Sequence, residues 1–408
     1  MSRPPAGPGG SGGPGGSGGP GGPTAGGFVE FLRRETTGGQ LLLAATAIAL
    51  LWANLAEDSY ASFWSTQAAL GPDWLHLDLT FGDWAADGLL AIFFLVAGVE
   101  LKRELSVGEL AERRAAALPI FAAVGGMIAP ALVALAVSGG DAAEGGAWAI
   151  PVATDIAFAL GVLAIAGAAL PTGVRVLLLS IAVVDDLLAI LLIAVLFSSD
   201  LAPGWLAGAA VLSALWALAF RARFDQWPVL LAIGVGVWIC VHAGGVHATV
   251  AGIVLGLLTP VRARAEGEEA PNVRLEHRLH PISAGLAVPA FALAAAGISV
   301  GALGDALSDS VAIGVFAGLL AGKLAGITGG ALLAIRLRLG TLPERVGLGD
   351  VVALAMLGGI GYTVSLLIAR LAFDDPAAAE RSAAAVLAAS VLASLVAVAL
   401  LRRRSRAP

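Results

Sequence analysis

WAIPVATDIAFALGVLA, residues 148–164, is apolar throughout except at Thr154 and Asp155, and it carries Pro151 four residues ahead of the acid. At about 1.5 Å per helical residue, such a run covers most of a hydrocarbon core of about 30 Å. Proline removes one helix hydrogen bond, and broken backbone at membrane depth is tolerated only where it is buried in protein or lines a cavity. A carboxylate, a Thr hydroxyl and freed carbonyls offer hard oxygen ligands to a small cation. The competing reading is a proline kink with Asp155 as a helix cap. A second interruption stands in GGIGYTVS, residues 358–365, where Gly358, Gly359 and Gly361 fall within four positions at the middle of another apolar run. So many glycines disfavour continuous helix.

Outward from these two stretches, apolar runs recur near 39–56, 84–101, 116–137, 149–169, 176–197, 204–220, 229–241, 246–259, 282–297, 310–334, 350–372 and 382–401. They predict an all-α polytopic membrane protein of twelve transmembrane helices. The two runs separated by residues 242–245 are the shortest. Of the 408 residues, 58% are hydrophobic and 13% charged, against roughly half and a quarter in an ordinary soluble domain. A conventional water-soluble enzyme is therefore excluded. The formal net charge of −6 gives no basic excess, so nucleic acid is not an expected partner. A single cysteine, Cys240, permits neither an intramolecular disulfide nor a thiolate cluster, and abundant small residues suit closely packed helices in lipid. Residues 1–27 form a Gly/Pro/Ser tract with nothing to bury, read as a disordered tail without the features of a secretory signal. The membrane domain is expected over 28–403 and a short basic cytoplasmic tail over 404–408.

Twelve crossings with both termini in the cytoplasm put every Lys and Arg on the inner side except Lys323, Arg370 and Arg381, as loop charge requires. The fourth and eleventh spans, both interrupted, then run in opposite directions. That is the signature of inverted-topology repeats pairing spans three to five with ten to twelve, with two discontinuous helices crossing at their breaks. Crossed half-helices bring like dipole ends together. Asp155 would offset N-terminal ends, and Lys323 is the candidate to offset C-terminal ends. Between the first two spans, Leu75, Leu77, Leu79 and Phe81 alternate with polar residues, which reads as a strand of a small extracellular hairpin or as an amphipathic surface loop.

Charges at bilayer depth are costly and call for a function. They are Asp87, Asp155, Asp185, Asp186 and Lys323, with Glu100 at the end of the second span. Asp185 and Asp186 stand about ten residues into their span, ~15 Å deep, and point ~100° apart, so one lines a polar pathway while the other meets a second helix. Lys323 is a counter-charge or proton carrier, unless it snorkels. Glu276, His277 and His280 in RLEHRLHP are either a pH-responsive group or an ordinary interfacial helix. His247 reads as a buried hydrogen-bonded residue.

The strings FFLVAGVELKREL (93–105), WAIPVATDIAFALGVLA (148–164), IAVVDDLLAI (181–190), GVHATVAGIVLG (245–256), RLEHRLHP (274–281) and GGIGYTVS (358–365) resemble those of NhaA-family sodium/proton antiporters, from about residue 28 to 403. The resemblance implies exchange of Na+ or Li+ for H+ in the cytoplasmic membrane, electrogenic and pH-regulated, with no cofactor. It implies that Asp185 and Asp186 are the paired transport aspartates, with Asp186 and Asp155 as direct ligands of the transported Na+ and Thr154 beside them. Pro151, Gly358, Gly359 and Gly361 mark the broken helices. Lys323 matches a tenth-span lysine, Asp87 and Glu100 match acids of a cytoplasmic access route, and Glu276, His277 and His280 match a pH-response region. A homodimer through the extracellular hairpin is also implied. Two positions depart from the family pattern: Leu324 stands where proline is expected and Ala86 where a polar residue is expected. The rival readings are a passive cation channel and, from the short pattern GLGD at 347–350, an intramembrane aspartyl protease; the latter lacks a Tyr-Asp partner, since Tyr60 and Tyr362 are the only tyrosines.

Overall fold

The structure, a computed structural model, describes residues 35–405 apart from 73, 74, 76, 168, 169, 264 and 266. The tail expected over 1–27 lies outside the described residues, as do 406–408. Among the described residues, nine helices are long and apolar enough to cross a membrane, and a bent helix pair brings the number to ten. The protein is thus a helical, multi-pass membrane protein.

Helix α1 (Glu35–Leu55) is followed by the short α2 (Glu57–Trp64) and by two strands, β1 (Gln67–Ala69) and β2 (Asp78–Thr80). The strands pair antiparallel, with Ala68 opposite Leu79. The strand is shorter than the alternation over 75–81 predicts. Its end is fixed by Thr80, which accepts from Asp83 N while Asp83 Oδ2 accepts from Thr80 N. This reciprocal cap turns the chain into helix at Phe81.

Next come α3 (Phe81–Val107) and α4 (Arg113–Val137). The fourth apolar run then departs from the sequence reading: its first half, Asp141–Val152, is 3-10 helix interrupted at Glu144, Gly145 and Gly146. Gly145 has φ +58°, and a Cβ there would strike the Ala372 carbonyl, so this turn needs glycine. Residues 153–155 are extended, and α5 (Ile156–Ala166) completes the run. Then follow α6 (Thr172–Leu196), α7 (Pro203–Arg221), α8 (Trp227–Ala243), α9 (Thr249–Leu258), α10 (Pro271–Ala295), α11 (Val300–Ala306) and α12 (Ser310–Arg336). The eleventh apolar run is two helices, α13 (Leu348–Gly358) and α14 (Tyr362–Ala372), bent by 44°. Helix α15 (Pro376–Ser405) closes the chain.

Two hydrophobic cores organise these helices. The larger gathers α4 to α6 and α12 to α15 with faces of α1 and α3; the smaller joins the opposite face of α3 to α7 through α10. Within each, glycine lets backbones touch. A Cβ on Gly326 of α12 would strike the Gly125 carbonyl of α4, and one on Gly98 of α3 would stand 2.8 Å from the Ile253 carbonyl of α9. Such approach is the small-residue packing that membrane helices use. Helix α12 passes through Lys323 without ending, so Leu324 in place of proline leaves the helix whole, although a π turn over Gly318–Gly322 immediately precedes the lysine. Another π turn, Trp84–Leu89, carries Asp87. Such turns recur at functional sites.

Candidate cation site

Extended backbone at 153–155 presents its polar groups sideways, and they are taken by the break in the other interrupted run. Asp155 N donates to Ile360 O at 2.6 Å and Thr154 Oγ1 to Gly358 O at 2.9 Å. The carboxylate of Asp155 in turn serves both following helices. Its Oδ1 accepts from Phe158 N of α5 at 2.9 Å and its Oδ2 from Thr363 N of α14 at 3.1 Å. One acid therefore caps two helix N-termini, where unsatisfied N–H groups and the helix dipole favour negative charge.

Lys323 reaches neither set of helix ends. Its Nζ donates to Asp185 Oδ1 at 3.1 Å and Oδ2 at 2.9 Å, with the lysine wholly buried. Two carbonyls of the α13–α14 break, those of Gly358 and Ile360, are taken by Thr154 and Asp155. A buried ammonium gains more from a full opposite charge than from partial charges on carbonyls, which is the physical reason for this choice.

Asp186, adjacent on α6, points elsewhere. It is 5% exposed, lies within electrostatic reach of Asp185, Asp155, Glu100 and Lys323, and its Oδ1 has no hydrogen-bond partner. Burying a polar atom without a partner is costly. Asp155, Thr154, Asp185, Asp186 and Lys323 thus form one buried polar centre where α5, α6, α12 and the α13–α14 break converge. Among the described residues, no three His, Cys, Asp or Glu side chains cluster as a metal site. A small cation held at this centre would complete its shell with hydroxyl and carbonyl oxygens.

Residues 29–401 match the family described as Na+/H+ antiporter 1. The chain is 54% identical over 382 residues to the Na(+)/H(+) antiporter NhaA 1 of Saccharopolyspora erythraea, covering 93% of this chain and 92% of that protein. It is 53% identical to the NhaA of Nocardia farcinica, covering 92% and 91%, and 51% identical to the NhaA 2 of Frankia alni, covering 92% and 78%. The chain belongs to the NhaA family. That is a family of transporters, not enzymes, and Asp350 of the GLGD pattern is not a protease acid: it is buried and held by Arg404 Nε at 2.9 Å and by Gly347 N at 2.8 Å.

In this NhaA-family chain the remaining residues singled out from sequence fall into two places. Asp87 and Glu100 stand well apart along α3. Asp87 lies just after the strand ribbon, whereas Glu100 is thirteen residues further on, about 20 Å along α3. At the Glu100 end, Glu276 pairs with Arg103 at 2.7 Å and His277 with Glu269 at 2.7 Å, while His280 stands one turn further along α10. At the ribbon end, Asp87 meets His247 Nε2 at 3.2 Å, whose Nδ1 contacts Thr249 Oγ1 at 2.7 Å. His247 is thus hydrogen-bonded, and its pairing with an acid 160 positions away had no signal in local spacing. Thr363 and Ile360 were also missed as site groups, because they act through their backbones.

Proposed function

We propose that the chain exchanges Na+ or Li+ for H+ across the cytoplasmic membrane, with Asp186 and Asp155 as direct cation ligands, Thr154 contributing an oxygen, and Asp185 held by Lys323. The observation carrying this reading is the buried Asp186 carboxylate with an unpartnered oxygen. A carboxylate in that position is stabilised by taking either a proton or a cation, and occupancy by one excludes the other. That competition is exchange once the centre is exposed alternately to the two sides. A passive channel would instead need weakly binding groups along an open path. Two titrating groups per cation would make the cycle electrogenic, so that membrane potential drives sodium out.

We read the nine long helices, the bent pair and the two shorter apolar helices, α8 and α9, as twelve crossings. We read them as inverted repeats, with α5 and α14 in the two crossing discontinuous spans. Loop charge supports cytoplasmic termini and an extracellular strand ribbon, and a ribbon edge there offers a second copy of the chain a pairing surface for a homodimer. Glu276, His277 and His280 would form the pH-responsive mouth, with Glu100 on the cytoplasmic access route and Asp87 on the opposite one. No cofactor takes part.

The test is sodium-dependent dissipation of a proton gradient in proteoliposomes. Wild type should collapse the gradient on sodium addition, and Asp186→Asn should not. Full activity in Asp186→Asn would remove this site. Sodium flux that continues without proton movement in the presence of an ionophore would mean a channel.

A further inference from the structure

Near the end of α14, Arg370 reaches across to the start of α3. Its Nη2 lies 2.9 Å from Asp83 Oδ1, and its Nη1 donates to Gly82 O at 3.3 Å. Asp83 cannot swing freely, because its other oxygen accepts from Thr80 Oγ1 at 2.6 Å and from Thr80 N at 3.2 Å. The backbone is close here as well: a Cβ on Gly82 would stand 3.3 Å from both Arg370 Nη1 and the Trp64 carbonyl.

Two further observations give this pair meaning. First, Arg370 stands seven residues after Thr363, about 10 Å along α14 from the Asp155 cap. Second, its neighbours Ala369 and Ala372 belong to the larger hydrophobic core, and α3 lies between the two cores, giving Ala86, Leu90, Phe94 and Leu101 to the larger and Val96 and Val99 to the smaller. The pair therefore ties α14, in the unit that holds the cation centre, to the helix that the two units share. At the far end of α3, Glu104 meets a different helix of the cation-centre unit, accepting a hydrogen bond from Ser180 of α6 at 3.3 Å. Side-chain exposures of 33% and 38% make Arg370–Asp83 a weak tie, as suits a contact broken and remade in each cycle.

We propose that Arg370 and Asp83 form a latch across the ribbon-side mouth, closed in this conformation, which must part whenever the cation centre opens to that side. The proposal rests on the alternating-access reading above. Arg370 and Asp83 are positioning residues; neither touches the transported ion at the centre.

The test uses the full chain with Cys240→Ala, carrying Asp83→Cys and Arg370→Cys, reconstituted in proteoliposomes. A bifunctional methanethiosulfonate with a spacer matching the arginine side chain should bridge the two cysteines, abolish sodium-driven proton movement, and release it again on reduction. A bridged protein that exchanges at the unbridged rate, or cysteines that do not bridge, would overturn the latch. Should the unbridged pair be inactive, the charge-swapped Asp83→Arg/Arg370→Asp protein decides. It should exchange faster than Asp83→Arg alone, and equal impairment of the two would refute the latch. Absence of exchange in wild type would instead overturn the antiport reading.

Discussion

Lys323 gives both oxygens of Asp185 a hydrogen bond, at 3.1 and 2.9 Å, inside a region where neither side chain is more than 3% exposed. Removing one partner of such a pair leaves the other charge buried and alone, at a cost of about 3–5 kcal/mol. Lys323→Ala should therefore lower the thermal midpoint in detergent strongly, and Lys323→Ala with Asp185→Asn should lower it less than Lys323→Ala alone. Lys323→Arg keeps a charge but not its shape and should fall between wild type and Lys323→Ala. Equal midpoints for wild type, Lys323→Ala and Lys323→Arg would show that the pair does not hold the fold.

The neighbouring aspartates should separate transport from stability. Asp155→Asn leaves one of two helix N–H groups without an acceptor, a loss of about 1–3 kcal/mol for a buried donor. Asp186→Asn removes a charge that has no hydrogen bond at Oδ1, so its melting temperature should equal or exceed that of wild type. Both should stop exchange. A marked destabilisation by Asp186→Asn would mean that Asp186 serves the fold instead.

Asp309, which caps α12 ahead of its first turn, supplies a pH signature outside the membrane. Burial pushes its carboxyl pKa up, but hydrogen bonds from Ala312 N and Arg381, together with the Arg381 charge, outweigh this and hold it below the usual range. A depressed folded pKa stabilises the protein above the unfolded value of about 3.9 and is lost as pH falls through the folded value. Asp309→Asn should therefore flatten the acid limb of a thermal-stability curve while leaving the slope near neutrality alone. An unaltered acid limb would show that another group dominates it.

The Glu276–His277–His280 region should act separately from competition at the site. Protons and sodium compete for the same carboxylates, so raising sodium should move the competitive part of the acid limb of the rate profile to lower pH. We expect a second limb that saturating sodium leaves in place and that the double change His277→Gln and His280→Gln displaces. If the double variant keeps that limb unmoved, the histidines play no part.

The positions of spans and interruptions were legible because they depend on local chemistry: runs of apolar residues, a proline, three glycines. Partner choice was not. Lys323 and Asp185 are 138 positions apart, and either the helix ends or a carboxylate satisfied what sequence could say about a buried ammonium. Asp87 was grouped with Glu100 through the family resemblance, and the structure sets them thirteen residues, about 20 Å, apart along α3. The alternation over 75–81 carried the strand one residue too far, to Phe81, because a hydrophobic pattern does not register the reciprocal cap between Thr80 and Asp83. Arg370 and Asp83 lie in regions that, read singly, are ordinary span termini.

The bonds between the two interruptions, Asp155 N to Ile360 O and Thr154 Oγ1 to Gly358 O, weld two otherwise separate helices into a single block. A block that travels whole carries the same ligand geometry to either face of the membrane, so its grip on the ion need not differ between them. Such a carrier has no preferred direction of its own. Net flow follows the combined free energy of the sodium and proton gradients, and the same molecule runs backwards when that balance is inverted.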